Sequence, residues 1–200
     1  MEFKMSRGRI KLDKKLNDLD ELVVDFVRVL DKSMIKYVLV SGYVSILFGR
    51  SRSSEDVDLI VKKISEKRFS ALWKKLAEKN FKCIVPDNVE SAYEYLMSRT
   101  SIRFSKNDEP LPNIEFMFPK EEDLDNWVLK HAIRVDLNRN VIRISPIELQ
   151  IAYKLFLGSN KDIEDAKHLY QLFEEKLNSN LLKEFLLKLD KKGKFNKYLA

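Results

Sequence analysis

Apolar positions Leu19, Leu22, Val23, Phe26, Val29 and Leu30 recur at steps of three and four, which predicts an amphipathic helix across "LNDLDELVVDFVRVLDKS". The period then shortens. "YVLV" from Tyr37 reads as a strand, "YVSILF" after Gly42 as a short connecting helix, and "DVDLIV" from Asp56 as a second strand. Ser65 is the expected N-cap of a surface helix in which Phe69, Leu72, Trp73 and Leu76 share one face. "FKCIVP" reads as a strand closed by Pro86, and "NVESAYEYLMSRT" as a helix. "SIRFS" is expected to pair with "NIEFMF" across the turn "KNDEPLP" as a long-looped hairpin, and "AIRVDLNRNVIRIS" forms a second hairpin. From Ser145 onward the pattern is helical: "SPIELQIAYKLFLG" opens on a Ser-Pro cap with proline at the first helical position and stops at Gly158, followed by "KDIEDAKHLYQLFEEKL" and "NLLKEFLLKLDKK". The implied architecture is α+β, a mixed β-sheet core flanked by helices over residues 1–144, with a C-terminal helical region, 145–200, packed on it.

Composition narrows the class. At 200 residues, 44% hydrophobic and 34% charged, the chain fits one globular domain, or one with a helical appendage. A chain of this length buries about 70% of its unfolded surface and needs no covalent staples. The single cysteine, Cys83, excludes an internal disulfide framework and reads as a small buried hydrophobe, which fits a reducing, cytoplasmic setting. No run approaches the roughly 20 apolar residues of a membrane helix, and the basic start is followed by acid-punctuated sequence rather than a signal-peptide core. The net charge of +6 sits at the ends, which read as solvated, partly frayed termini; the alternative is that they steer a polyanion such as RNA.

The segment from Tyr37 to Val61 carries the chemistry. A strand running into Gly42 and then a helix turns free backbone amides outward, and a glycine there lets an anion approach the main chain. Neither the G-K-[ST] of a P-loop nor G-x-G-x-x-G follows. Asp56 and Asp58 stand two apart on a strand, so both carboxylates leave the same face, with Cα atoms about 6.6 Å apart, and can clamp one magnesium ion. An acid on an adjacent strand would admit a second ion about 3.5–4 Å away, the arrangement that orients a nucleophile and stabilises leaving pyrophosphate. Glu115 in "NIEFMFP" is the natural third ligand.

"LVSGYVSILFGRSRSSEDVDLIV" resembles the signature of the DNA-polymerase-beta-like nucleotidyltransferase superfamily. In its extended form it is similar to small prokaryotic nucleotidyltransferases that include abortive-infection toxins of toxin–antitoxin systems. "SPIELQIAYKLFLGSNKDIEDAKHL" resembles the second signature of that group. The resemblance implies a Mg²⁺-dependent nucleotidyltransferase that uses two ions and a nucleoside triphosphate (NTP) to modify a hydroxyl of RNA or protein, with a cognate antitoxin as a further partner. It implies that Ser41, Gly42, Arg52 and Lys154 meet the nucleotide, that Asp56, Asp58 and Glu115 hold metal, and that Asp162 and Asp165 form a closing acidic motif. Ser41 stands where glycine is commonest, Ser54 replaces threonine, and Glu115 replaces aspartate.

Each feature has a plainer reading. Gly42 and Gly49 can serve a turn and a helix end, and Arg50 and Arg52 can form surface ion pairs. Glu115 can be an exposed strand residue and Lys154 a solvated helix lysine. Asp162 and Asp165 can be first-turn helix acids, His131 and His168 surface or packing residues, and the aromatics of "SAYEYLM" core. The different-class alternative is a catalytically weak or inactive module that binds a nucleotide or a partner protein on the same fold.

Overall fold

A computed structural model describes residues 3–6, 8–120, 122–189 and 193–199. In chain order the elements are β1 (Phe3–Ser6), β2 (Arg9–Leu12), α1 (Asp18–Lys32), β3 (Tyr37–Leu39), α2 (Gly42–Leu47), β4 (Asp56–Val61), α3 (Glu66–Ala77), β5 (Phe81–Cys83), α4 (Val89–Met97), β6 (Ile102–Lys106) and β7 (Glu109–Met117). Then follow α5 (Glu122–His131), β8 (Ile133–Leu137), β9 (Asn140–Ile144), α6 (Ile147–Leu157), α7 (Asn160–Phe173), α8 (Ser179–Leu189) and α9 (Lys194–Tyr198). The architecture is the expected α+β type. Residues 190–192, the end of the last helix expected from the sequence, lie outside the described residues. No helix among the described residues is long and apolar enough to cross a membrane.

Among the described residues, nine strands form one mixed sheet in the order β1-β2-β8-β9-β3-β4-β7-β6-β5. The pairs β2–β8, β3–β9 and β4–β7 are parallel and the rest antiparallel. The two-residue period of β4 divides its side chains between two layers. Val57, Leu59 and Val61 enter the main core with α1, α3 and α4. Ile60, with Val38 from β3, meets Val128 of α5, Leu149 and Ala152 of α6 and Phe185 of α8. Asp56 and Asp58 leave the same face as Ile60, so they point toward the α5–α6 layer. Helix α6 buries Ile151 and Leu155 in one cluster and Leu149 in the other, which wedges it between layers.

The structure corrects the sequence reading at several places. Residues 3–12 are not frayed: β1 and β2 form a hairpin, Ile10 and Leu12 are fully buried, and the Phe3 ring packs 5.8 Å from Phe48 and 4.8 Å from Phe173. Strands β6 and β7 join through a tight turn, because Asn107 and Asp108 both take left-handed φ values of 56° and 62°, the backbone a two-residue hairpin requires. Strand β5 ends at Cys83, short of Pro86. Ser65 stands at the N-cap of α3 as expected, without a side-chain hydrogen bond, whereas Pro146 rather than Ser145 occupies the N-cap of α6. Gly158 ends α6 in the left-handed conformation, as expected. Helix α5 and the first two strands have no counterpart in the sequence reading, whereas α9 falls within the helical stretch expected after Ser145. Cys83 is only half-buried, although burial still pushes its thiol up to about 11 and leaves it unreactive. Tyr93 packs on Phe69 and Phe118, whereas Tyr95 is exposed.

Candidate active site

The strand β3, helix α2 and strand β4 bring the opening motif together. Helix α2 is held from below: the hydroxyl of buried Tyr43 donates to Asp20 Oδ1 at 2.9 Å, and Lys14 pairs with the other oxygen of Asp20 at 2.9 Å. Asp20 also closes a reciprocal cap with Asn17 at the start of α1. Ahead of α2 the chain turns at Ser41, whose φ of 60° and ψ of −134° suit glycine better than serine. The position where the resembled signature most often has glycine is therefore one of backbone strain.

Strands β4 and β7 run parallel with Asp58 directly beside Glu115 and Asp56 beside Asn113. Side-by-side residues on neighbouring strands share a face, so Asp56, Asp58 and Glu115 converge on one side of the sheet. Burial pushes the Asp58 carboxyl up to about 6, the charges of Asp56 and Glu115 adding to it, while a hydrogen bond from Ser41 and the charge of Lys154 work against the rise. Glu115 is held from the far side. Ser101 donates to its Oε1 at 2.6 Å, and Arg103, its register partner on β6, lies 3.5 Å from Oε2.

A cavity of about 340 Å³ opens over Asp58 and Glu115 between the sheet, α5 and α6. Ser41, Asp58 and Glu115 line it, together with Val40, Ile60, Met117, Val128, Leu149, Gln150 and Tyr153. Asp56, Gly42, Arg52 and Lys154 do not. The strongly paired residues sit behind the wall: Lys154, 2% exposed, is 2.8 Å from Asp162 Oδ1 and 3.0 Å from Asp165 Oδ2. Arg52 Nε lies 3.3 Å and Arg50 Nε 3.7 Å from Asp165 Oδ1. Asp165 is thus a fully buried anion facing three cations, not a first-turn helix acid. Asp162 does sit in the first turn of α7. Burial raises its carboxyl, but hydrogen bonds from Lys154 and Ser159 outweigh that and keep its pKa below the usual value.

The glycine of the motif is required for a reason the sequence did not disclose. A Cβ at residue 42 would stand 1.9 Å from Arg52 Nη2, so the Arg52 guanidinium fills the space over the Gly42 backbone that the sequence reading gave to an anion. Both histidines are packing residues: His168 Nε2 lies 3.0 Å from the Phe48 carbonyl, and His131 stacks on Trp127 at 4.1 Å. The sequence reading missed Ser101 and Arg103 around Glu115, although the alternation of "SIRFS" puts both on one face. It also missed Ser145, Gln150 and Tyr153, which line the cavity from α6 and the residue before its cap.

Three acids are the oxygen-donor chemistry of a hard divalent cation, and such an ion would offset both the burial and the like charges that raise Asp58. Asp56 and Asp58 fit that role. Glu115 in its present hydrogen bonds does not complete a set, and among the described residues no three acidic, histidine or cysteine side chains stand together as a metal site.

No protein-family model matches the sequence, and no curated protein matches it significantly. Solved structures do. An antigenic nucleotidyltransferase-like protein from Paracoccidioides brasiliensis superposes with a TM-score of 0.58 at 19% identity, covering 91% of this chain and 92% of that one. The antibiotic-resistance factor ANT(2'')-Ia gives 0.49 at 10% identity over 88% of this chain and 94% of its own. JHP933 from Helicobacter pylori gives 0.44 at 20% identity over 92% and 81%. The first of these shows that the chain has a nucleotidyltransferase-like fold.

Proposed function

We propose that this nucleotidyltransferase-like chain transfers a nucleoside monophosphate from an NTP to a hydroxyl of RNA or protein. The observation that carries the reading is the side-by-side register of Asp58 and Glu115 on parallel strands, both lining one cavity, with Asp56 on the same face of the sheet. In the transfer, the acceptor oxygen forms a bond to the α-phosphorus as the bond to the β-phosphate bridge breaks, and pyrophosphate leaves. Such chemistry rests mainly on positioning and charge neutralisation.

Asp56 and Asp58 would hold Mg²⁺, and Glu115 would complete a second site once released by Arg103. The ion would neutralise charge on the triphosphate and the leaving pyrophosphate. Ser41 and the main chain ahead of α2 would seat the phosphates. Arg52 and Lys154 are assigned supporting roles, since both already face Asp165: Arg52 fills the space over Gly42, and Lys154 favours the ionised form of Asp58.

The test is incubation with each labelled triphosphate, Mg²⁺ and either total RNA or lysate. Transfer should occur with the wild type and vanish in the double variant Asp56→Ala/Asp58→Ala; label transfer that survives the double change overturns this site. A role as the toxin of a toxin–antitoxin pair belongs to the same proposal. Expression of the wild type, but not of the double variant, should arrest growth, and a cognate antitoxin should relieve the arrest.

A second reading, a nucleotide- or partner-binding module without turnover, draws on one observation: Glu115 is engaged by Ser101 and Arg103. Nucleotide binding without label transfer to any acceptor would favour it.

A further inference from the structure

The cavity above the acids also has an apolar lining. Val40, Ile60, Met117 and Leu149 supply it, and the half-buried ring of Tyr153, tilted against exposed Phe156 at 5.9 Å, lines the same cavity. One polar group in this wall lacks a partner. Gln150 is 4% exposed, and its Nε2 donates to the Oγ of Ser145, itself 1% exposed; the Gln150 Oε1 is buried with nothing to accept from. A buried carbonyl left unsatisfied is costly unless a ligand donor meets it. Backbone hydrogen bonds run in a rung from Ser145 to Leu39 and from Val40 to Asp58, so Ser145 sits two strands from the acid, roughly 10 Å at ordinary strand spacing. That separation suits a ligand whose phosphates meet Asp58 through the cation of the transfer reading and whose flat end reaches Gln150.

We propose that this chamber receives the nucleobase of the triphosphate, that Tyr153 offers it a stacking face, and that Gln150 reads an exocyclic amine on its edge, with Ser145 as the positioning residue that fixes the amide. The inference rests on the transfer reading and adds a base preference to it: amino bases, adenine and cytosine, over their keto counterparts, hypoxanthine and uracil.

The experiment measures binding of ATP, ITP, CTP, UTP and inorganic tripolyphosphate by calorimetry, each with Mg²⁺, to the full chain. ATP should exceed ITP, and CTP exceed UTP, by roughly ten- to a hundredfold, the loss expected when a buried acceptor is left unpaired. Gln150→Leu should erase that ratio. Ser145→Ala, a smaller change that leaves the carbonyl in place, should reduce it; a purely structural role for either residue would lower the unfolding midpoint and leave the ratio intact. Equal binding within each pair, with tripolyphosphate still bound, overturns the base site and spares the transfer reading. Preference that survives both substitutions overturns Gln150 as its source. Absence of binding by every triphosphate and by tripolyphosphate removes both.

Discussion

The Arg52 guanidinium occupies the volume that a side chain on residue 42 would need, with Nη2 only 1.9 Å from where that Cβ would lie. Arg52 cannot retreat freely, because its Nε also faces buried Asp165 at 3.3 Å. Gly42→Ala should therefore act by prising Arg52 from Asp165, at a cost of about 1–3 kcal/mol typical of overpacking. The check is a double-mutant cycle in urea: in an Arg52→Ala background the same alanine should cost much less.

Breaking the hub itself should be worse. Asp165→Asn leaves Lys154 and Arg52 buried without their shared anion, and removal of one member of a buried pair costs about 3–5 kcal/mol. Asp162→Asn should cost less, since Asp162 is nearer the surface and Lys154 keeps Asp165. Chemical unfolding of the two variants side by side measures the difference.

Asp58 makes stability depend on pH in a definite direction. Its folded pKa of about 6 lies above the ordinary carboxyl value of 3.8, so between those values the folded state holds more protons than the unfolded one. Stability contributed by this group is present at acid pH and lost as pH rises through about 6, by an amount on the order of 3 kcal/mol. Asp58→Asn should flatten the profile between pH 4 and 6 when thermal unfolding is followed without divalent cations. Added Mg²⁺ should restore stability to the wild type above pH 6 and leave the variant unchanged.

Arg103 competes for Glu115. Arg103→Ala removes a half-exposed cation 3.5 Å from the carboxylate, and Mg²⁺ affinity measured by calorimetry should rise several-fold. Glu115→Ala should lower it. No change in either variant would favour the binding-module reading, in which Glu115 belongs to the β6–β7 surface rather than to an ion.

Local elements with a clear period were legible from the sequence: α1, α3, β4 and the α6–α7 pair stand where their apolar spacing put them. The first two strands escaped notice although Ile10 and Leu12 alternate with Arg9 and Lys11, because the dense positive charge masked a two-residue period too short to stand alone. Helix α5 was missed for a similar reason, its apolar positions Leu124, Trp127 and Val128 being diluted by acids. The pair of aspartates could be placed on one face by counting along the strand. The hold of Arg52 over Gly42, and the grouping of Arg50, Arg52 and Lys154 around Asp165, could not, since they depend on the packing of α7 against the glycine turn more than a hundred residues away. The orphaned Gln150 carbonyl was invisible for the same reason: only a folded wall shows which polar group faces a cavity.

The pairing of β2 with β8 imposes an order on how the protein is made. The side of β2 that β8 covers stays open while the chain grows, because its parallel neighbour, Arg134–Leu137, is synthesised more than a hundred residues after it. Until then β1 is the only strand that can pair with this segment, and the edge that β8 will cover stays open. The basic residues Arg9 and Lys11 alternate with the apolar Ile10 and Leu12, and charges so placed disfavour pairing between the open edges of neighbouring chains.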